Sequence, residues 1–426
     1  MAQIAIKGKS QRSLFRRVIR VVGVIIGILI VLAFILVLFV QIAWDRPVNR
    51  AIPQITVPRD SQTVARGEYL YKYSSLCWTC HGSEGNTSAE EPQAGGWKFD
   101  LSGFGPGFGV YYASNITQSR DKGIGEWSDG EILRSIREGL DREGHILLPI
   151  MPFQFYHGMS DRDAEAMVAY LRSLPAVDNQ VPENQPTFAA KAVIGFRLLK
   201  PEAPITKPVA APEKGVTVEY GKYLAWHASG CADCHMPRDT NTGQIDFERT
   251  FAGGLTPLPE EGFSPIGSNL TPHAETGLGN WTEEQFLTAM QQGTRPDGRV
   301  LVLFMPWPSY SRWDVEDLRA IWLYLRSLKP IDHTVPATEL TGAATGSGLE
   351  RGEALYKIFC RACHGNKGSG GEIATMPLID IAPQMDDASL SKIIMGGFPP
   401  VMPGFADTLT TEQVNDLINV IQSWEE

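Results

Sequence analysis

Hydrophobic and polar positions divide the start of the chain into two blocks. Lys7, Lys9, Arg12, Arg16, Arg17 and Arg20 stand among the first twenty residues without an acid. Val21 to Val40 then runs for twenty residues without a charged or polar side chain. At 1.5 Å per helical residue that run spans about 30 Å, the hydrocarbon thickness of a bilayer. A cleaved signal peptide is the alternative, but its apolar region is about 7–15 residues long and ends at a small-x-small site. Gln41-Ile42-Ala43-Trp44 offers no such site, whereas Trp44 and Arg46 suit an interfacial anchor. Residues 1–44 are expected to form a cytoplasmic basic end and one transmembrane anchor in the cytoplasmic membrane. The remainder would lie on the periplasmic, extracytoplasmic side.

Beyond the anchor the apolar positions follow a helical period in short segments. Ser128 with Glu131, and Thr282 with Gln285, have the spacing of capping boxes, and Gly139 and Gly293 stand where those helices should end. Asp387 opens a looser third version, Ala388 to Met395, that stops near Gly396. Later helices begin at Ser160 with Asp163, Asp314 with Asp317 and Thr410 with Gln413. Their apolar faces carry Val168 and Leu171; Leu318, Ile321 and Leu325; and Val414, Leu417, Ile418 and Ile421. There is little strand signal.

The pattern repeats. Gly67 and Gly221, Tyr69 and Tyr223, Asn115 and Asn269, Trp127 and Trp281, Met151 and Met305, and Leu171 and Leu325 are each 154 residues apart. Residues 62–175 and 217–333 thus form a tandem duplication, and 347–426 a shorter third unit. Seven prolines between 174 and 216 predict a semi-stiff linker over 176–216, and 337–349 a more flexible one.

Composition narrows the chemistry. A hydrophobic fraction of 43% excludes a disordered chain, and six Cys in 426 residues are too few for a disulfide scaffold. Without the six basic residues of the anchor, 32 Lys and Arg face 48 Asp and Glu, a net charge of −16. Nucleic acid is therefore excluded as a partner, and a redox partner with a basic docking surface is expected.

All six Cys fall in three copies of C-x-x-C-H: Cys77, Cys80 and His81; Cys231, Cys234 and His235; Cys360, Cys363 and His364. Two thiols one helical turn apart suit the two vinyl groups of a porphyrin, and the adjacent His suits its iron. A thioredoxin-like pair needs no following His, and zinc ribbons combine cysteine pairs into fours, which three equal pairs do awkwardly. Three covalently attached haem c groups are expected. Each unit also has one Met-Pro step, at Met151, Met305 and Met402, where Pro stiffens the loop and Met offers a thioether to the iron. His145 and His157 rival Met151, and Met376 and Met395 rival Met402. His227, His273 and His333 are expected in surface or loop roles, and Trp127 and Trp281 as pocket packing.

Further residues carry a resemblance. Gly-x-Tyr-Leu before the haem motif, Phe251-Ala252-Gly253-Gly254, Asn269-Leu270-Thr271-Pro272, Gly277-Leu278-Gly279-Asn280-Trp281 and Met305-Pro306 resemble one family. It is that of the three-haem cytochrome c subunits of bacterial membrane-bound alcohol and gluconate-type dehydrogenases. The first unit repeats the pattern at Asn115-Ile116-Thr117, Gly123-Ile124-Gly125-Glu126-Trp127 and Met151-Pro152, but has Gln93-Ala94-Gly95-Gly96-Trp97 near the Phe-Ala-Gly-Gly place. The long N-terminal anchor also departs from family members, which attach through a C-terminal segment. The resemblance covers 62–426 and implies domains that take electrons from a catalytic subunit and pass them to quinone or a terminal acceptor.

The expectation is a mainly α protein with three tandem cytochrome c-like domains after one transmembrane helix. It would be an electron-transfer subunit rather than an enzyme, serving a dehydrogenase or another respiratory or photosynthetic complex. The alternative is a multi-haem peroxidase-like enzyme, which needs an open iron site.

Overall fold

The computed structural model describes residues 5–82, 89, 91–102, 107–239, 244–255, 263–264, 266–336, 339–371, 374–398 and 401–424. Side chains of 5–14, 255, 263–264 and 339 are not described, so those of Lys7, Lys9 and Arg12 lie outside the described residues, as do 337–338 of the second linker. Helix α1 (Ala5–Ala43) is one continuous rod, and its portion Phe15–Ala43 is long and apolar enough to cross a membrane.

A succession of elements follows. Helix α2 (Ser61–Tyr69), capped by Asp60, widens into a π turn at Leu70–Ser74 and leads to α3 (Trp78–His81). Strands β1 (Lys98–Asp100) and β2 (Gly109–Tyr112) precede α4 (Asp129–Glu138), α5 (Phe153–Tyr156) and α6 (Asp161–Ser173). The chain then forms β3 (Gln185–Pro186), antiparallel to β2, and α7 (Phe188–Gly195). The stretch expected as a linker is therefore more ordered than its prolines suggest. Its Phe188-Ala-Ala-Lys-Ala-Val-Ile segment has an apolar face that finds a partner on α1.

The order then returns with α8 (Val218–Tyr223), a π turn at Leu224–Ala228 and α9 (Cys231–His235). Two-residue strands β4 (Gly254–Leu255), β5 (Phe263–Ser264) and β6 (Ile266–Gly267) come before α10 (Glu283–Gln292), α11 (Trp307–Tyr310) and α12 (Val315–Ser327). After β7 (Glu339–Leu340) come α13 (Gly348–Phe359), α14 (Arg361–His364), α15 (Leu378–Ile381), α16 (Asp387–Gly396) and α17 (Thr411–Ser423).

In each stretch the first long helix crosses the last: α2 on α6, α8 on α12 and α13 on α17. The crossings are close enough to require glycine. A Cβ on Gly67 would lie 1.9 Å from the Ala166 carbonyl oxygen, on Gly221 1.8 Å from that of Ala320, and on Gly352 2.3 Å from that of Asp416. The capping boxes at Ser128, Thr282 and Thr410 are all formed, and Gly139 and Gly293 end their helices in the left-handed conformation. Two boundaries differ from expectation. Asp386, not Asp387, caps α16, because its carboxylate accepts the Ser389 N–H at 2.8 Å. Asp314 precedes α12 without a side-chain cap, its carboxylate being drawn instead to Lys214 Nζ at 2.6 Å.

The first two stretches share one hydrophobic core, while the third builds its own. Equivalent residues meet reciprocally across the shared core. Tyr69 donates to Asp317 Oδ2 at 3.1 Å, and its counterpart Tyr223 donates to Asp163 Oδ2 at 2.7 Å. Asp163 and Asp317 are themselves 154 apart. Ser74 Oγ donates to the carbonyl of Ala228, its own counterpart, at 2.6 Å. Contacts of this kind define an approximate two-fold axis inside one chain. The third core instead receives Val300, Val302 and Phe304 from the second stretch.

Candidate functional site

Two of the C-x-x-C-H motifs sit just after the π turns, so the contact between Ser74 and Ala228 brings those two face to face. One cavity of ≈ 1580 Å³ is lined by Cys77, Cys80, His81 and Met151 and by Cys231, Cys234, His235 and Met305. Tyr156 and Tyr310, another pair 154 apart, stand between them, and Tyr156 donates to the Ser75 carbonyl at 3.1 Å. Trp127 and Trp281 form part of the wall, as expected of pocket packing.

His81 Nδ1 lies 2.8 Å from the Ser114 carbonyl oxygen, and His235 Nδ1 lies 2.8 Å from that of Ser268. A carbonyl only accepts, so each Nδ1 carries the proton and each Nε2 keeps its lone pair. Burial holds both imidazoles below their ordinary pKa, against the opposing pull of those carbonyl bonds. A neutral ring with a free Nε2 is the form that ligates iron.

The family-like segments explain how the carbonyls are aimed. Asn115 Oδ1 accepts from the Thr117 N–H at 2.9 Å and Oγ1 at 2.7 Å, while Asn115 Nδ2 donates to the Val177 carbonyl at 2.9 Å. Asn269, Thr271 and Ile331 repeat the arrangement. Asn-x-Thr thus fixes the turn just after the serine whose carbonyl meets the His. Gly-Ile-Gly and Gly-Leu-Gly are held by Arg172, which donates to the Ile124 carbonyl at 3.1 Å, and by Arg326, which donates to that of Leu278 at 2.9 Å.

The methionines are placed by a tight turn. Phe153 N–H returns to the Met151 carbonyl at 2.7 Å, and Trp307 N–H to that of Met305 at 2.7 Å. His145 lines the same cavity but is engaged with Asp141 at 3.1 Å, and His157 is occupied by the Arg137 carbonyl at 3.0 Å. In the third stretch Cys360 and Met402 both pack against its core, Met402 in an antiparallel bridge to Phe398. Met395 packs there too, whereas Met376 is 63% exposed. His364 Nδ1 is buried, and among the described residues it has no hydrogen-bond partner.

None of the six cysteines is in a disulfide. Burial pushes Cys77 and Cys360 up to about 12 and Cys363 to about 11; for Cys77 and Cys360 the neighbouring thiol adds to it. A thioredoxin-like pair works through a depressed thiolate, the opposite of this environment. Among the described residues the side chains that converge closely enough to share one ion are Asp141, Glu143 and His145, and no cysteine is with them. The zinc reading therefore loses its geometry, while a cleft lined by cysteine pairs, a lone-pair Nε2 and a methionine fits haem.

Sequence reading missed the Ser114 and Ser268 carbonyls and the two-fold arrangement, and it pairs Tyr156 with Tyr310 in the repeat without giving them a role. Their common signal was present, because each pair obeys the 154-residue offset.

Comparison with known proteins gives two family matches: cytochrome c over residues 64–175, and subunit III of cbb3-type cytochrome c oxidase over 347–419. The cytochrome c subunit of an alcohol dehydrogenase (quinone) from Gluconobacter oxydans is 27% identical over 393 residues, covering 85% of this chain and 78% of that protein. The cytochrome c subunit of gluconate 2-dehydrogenase from Pantoea cypripedii is 27% identical, covering 85% of each. A nicotinate dehydrogenase subunit from Pseudomonas putida is 28% identical over 80% of this chain, which spans only 28% of that protein's length.

Proposed function

From the premise that the chain carries cytochrome c domains and that its homologues are electron-transfer subunits of membrane dehydrogenases, we propose a membrane-anchored, three-haem electron carrier. It would be the cytochrome c subunit of a membrane dehydrogenase complex, passing electrons to quinone or a downstream acceptor. Cys77, Cys80, His81 and Met151 hold the first haem. Cys231, Cys234, His235 and Met305 hold the second, and Cys360, Cys363, His364 and Met402 the third. The units are 62–175, 217–333 and 347–426, on the periplasmic side of α1. Bound haem supplies a one-electron iron couple.

The observation that carries this reading is the repeated pair of imidazoles, each fixed by a backbone carbonyl with Nε2 left for iron, in a cleft that also holds a Met-Pro thioether. The cysteines would attach the ring and the carbonyl-bound imidazole would ligate the iron in a fixed orientation. Methionine would supply a thioether where a peroxidase leaves the iron open, and Trp127 and Trp281 would pack beside the ring. The net charge of −16 after the anchor suits a partner with a basic docking surface.

Co-purification of the full chain in mild detergent, with identification of companion subunits, tests the assignment. A flavin- or quinoprotein dehydrogenase is expected. A high-spin ferric spectrum, or turnover of peroxide with a reductant, would transfer the chain to the peroxidase-like alternative.

A further inference from the structure

The segment Phe188–Lys200 is set apart from the rest of the chain beyond the anchor. Its thirteen residues, Phe-Ala-Ala-Lys-Ala-Val-Ile-Gly-Phe-Arg-Leu-Leu-Lys, contain three basic residues and no acid, within a region that carries a net charge of −16. Helix α7 opens this segment. Thr187 Oγ1 accepts the Ala190 N–H at 3.1 Å as its cap, and β3 ties it to β2 just before.

Helix α7 lies against the C-terminal end of α1, where the apolar run stops. Val40 and Ala43 are buried there, although the rest of the run faces outward. Phe196 meets Phe39 with ring centroids 5.2 Å apart. Lys191 Nζ sits 4.8 Å from the centre of the Trp44 ring and 3.2 Å from Gln41 Oε1, and Arg197 donates to the Arg46 carbonyl at 2.8 Å. Beyond these contacts the segment stays apolar and partly uncovered: Phe188 is 45% exposed, Phe196 49% despite its contact with Phe39, and Leu198 73%.

We propose that Phe188–Lys200 is a second membrane contact, a monotopic segment lying in the headgroup layer of an anionic phospholipid bilayer beside the point where α1 leaves it. Continuity decides the occupant. The half-exposed Phe196 packs on Phe39, itself on the membrane-crossing rod, and Leu198 follows two residues on, so an apolar surface continues from the span onto this segment. Lys191 over the Trp44 ring and Arg197 on the Arg46 carbonyl stand where the span ends, the depth at which lipid phosphates meet an interfacial helix, with Lys200 three residues further on.

The docking fixes the orientation of the first unit. That unit is already bolted to the segment after α1, through Val48 N–H to the Gly144 carbonyl at 2.8 Å and Arg50 to Glu138 at 2.8 Å. Trp44, Asp45, His145 and Ile194 line the haem cavity. With α7 in the headgroups, this wall of the first cleft faces the lipid surface, within reach of a lipid-soluble carrier.

The test uses the full chain in nanodiscs of phosphatidylethanolamine and phosphatidylglycerol. The photo-crosslinking residue p-benzoylphenylalanine replaces Phe196 or Leu198, with Ile30 in the span and Glu350 in the third unit as references. Phospholipid adducts read by mass spectrometry are expected at 30, 196 and 198, severalfold above those at 350. Adducts at 30 with yields at 196 and 198 no higher than at 350 overturn the docking while leaving the anchor and the electron-carrier reading intact. Adducts at 196 and 198 to a second copy of the chain or to a companion subunit, in place of lipid, also overturn it. A blank at 30 overturns it by removing the anchor on which it rests.

Discussion

The duplicated pair and the third unit solve the same problem differently. In the pair, two motifs face one another across an approximate two-fold axis, share one core and open into one cavity. Each imidazole is aimed by a serine carbonyl that an Asn-x-Thr turn holds in place. The third unit has its own core. Its entry helix α13 runs without a π turn to Cys360, and among the described residues His364 Nδ1 has no partner. The comparison teaches that the motif and its surroundings are separable: C-x-x-C-H recurs in all three, while the support around its His does not. It also separates symmetry from equality. Asp163 receives two bonds from Arg66 at 2.8 Å, but the counterpart of Arg66 is Tyr220, and Asp317 accepts one bond from Tyr69 with the tip of Lys214 3.8 Å away.

The strongest way to break the comparison is to remove one attachment at a time. The double variant Cys360→Ala/Cys363→Ala is expected to lose one haem and leave the other two fully loaded. Cys77→Ala/Cys80→Ala should lose the first haem and lower loading of the second, because the two motifs share one core and meet through Ser74 and Ala228. Intact-mass haem stoichiometry checks both; equal effects would mean that the shared core does not couple the pair.

Next in size are the two related carboxylates. Asp163→Asn strands Arg66 and is expected to cost about 3 kcal/mol, the low end for breaking a buried ion pair. Asp317→Asn should cost less than about 1 kcal/mol, since one hydrogen bond from Tyr69 is at stake. Denaturant midpoints decide this, and their pH dependence should have opposite signs. Burial works to raise Asp163, but Arg66 outweighs it and holds the carboxyl below its ordinary value of 3.8. Its stabilisation is complete above that value and lost as pH falls through the lower folded one. Burial raises Asp317, with Lys214 only partly opposing. Its contribution is largest when protonated and declines as pH rises from 3.8 through the raised value. Each Asn variant should flatten its own slope.

A smaller effect sharpens the contrast in ligand support. A hydrogen bond to Nδ1 raises the basicity of a ligating His and so favours the ferric state. The third centre, with none among the described residues, is expected to have the highest midpoint potential, by an amount small beside the roughly 0.8 V that axial ligation spans. In a potentiometric titration Cys360→Ala/Cys363→Ala should delete the uppermost wave; loss of a lower wave reverses the assignment.

Much of this was legible in residue order because the chemistry is local. A porphyrin needs two thiols and a His at fixed spacing, and a capping box needs its two members three residues apart. Helix α7 was hidden for a different reason. The seven prolines around it dominate the stretch, and its partner, the end of α1, is about 150 residues away in sequence. The carbonyls of Ser114 and Ser268 were hidden because a backbone acceptor leaves no trace in residue type. The cap at Asp386 rather than Asp387 shows the usual slack of one residue at a helix start when two acids stand side by side. The two-fold axis was implicit in the 154-residue offset, but an offset says that two units are alike, not that they meet.

The central claim is three haems on one chain, each attached through its own cysteine pair. Intact-mass spectrometry of the denatured full chain tests it most directly. The account predicts the polypeptide plus three covalently retained haems, and a main species with two or fewer after complete maturation would contradict it.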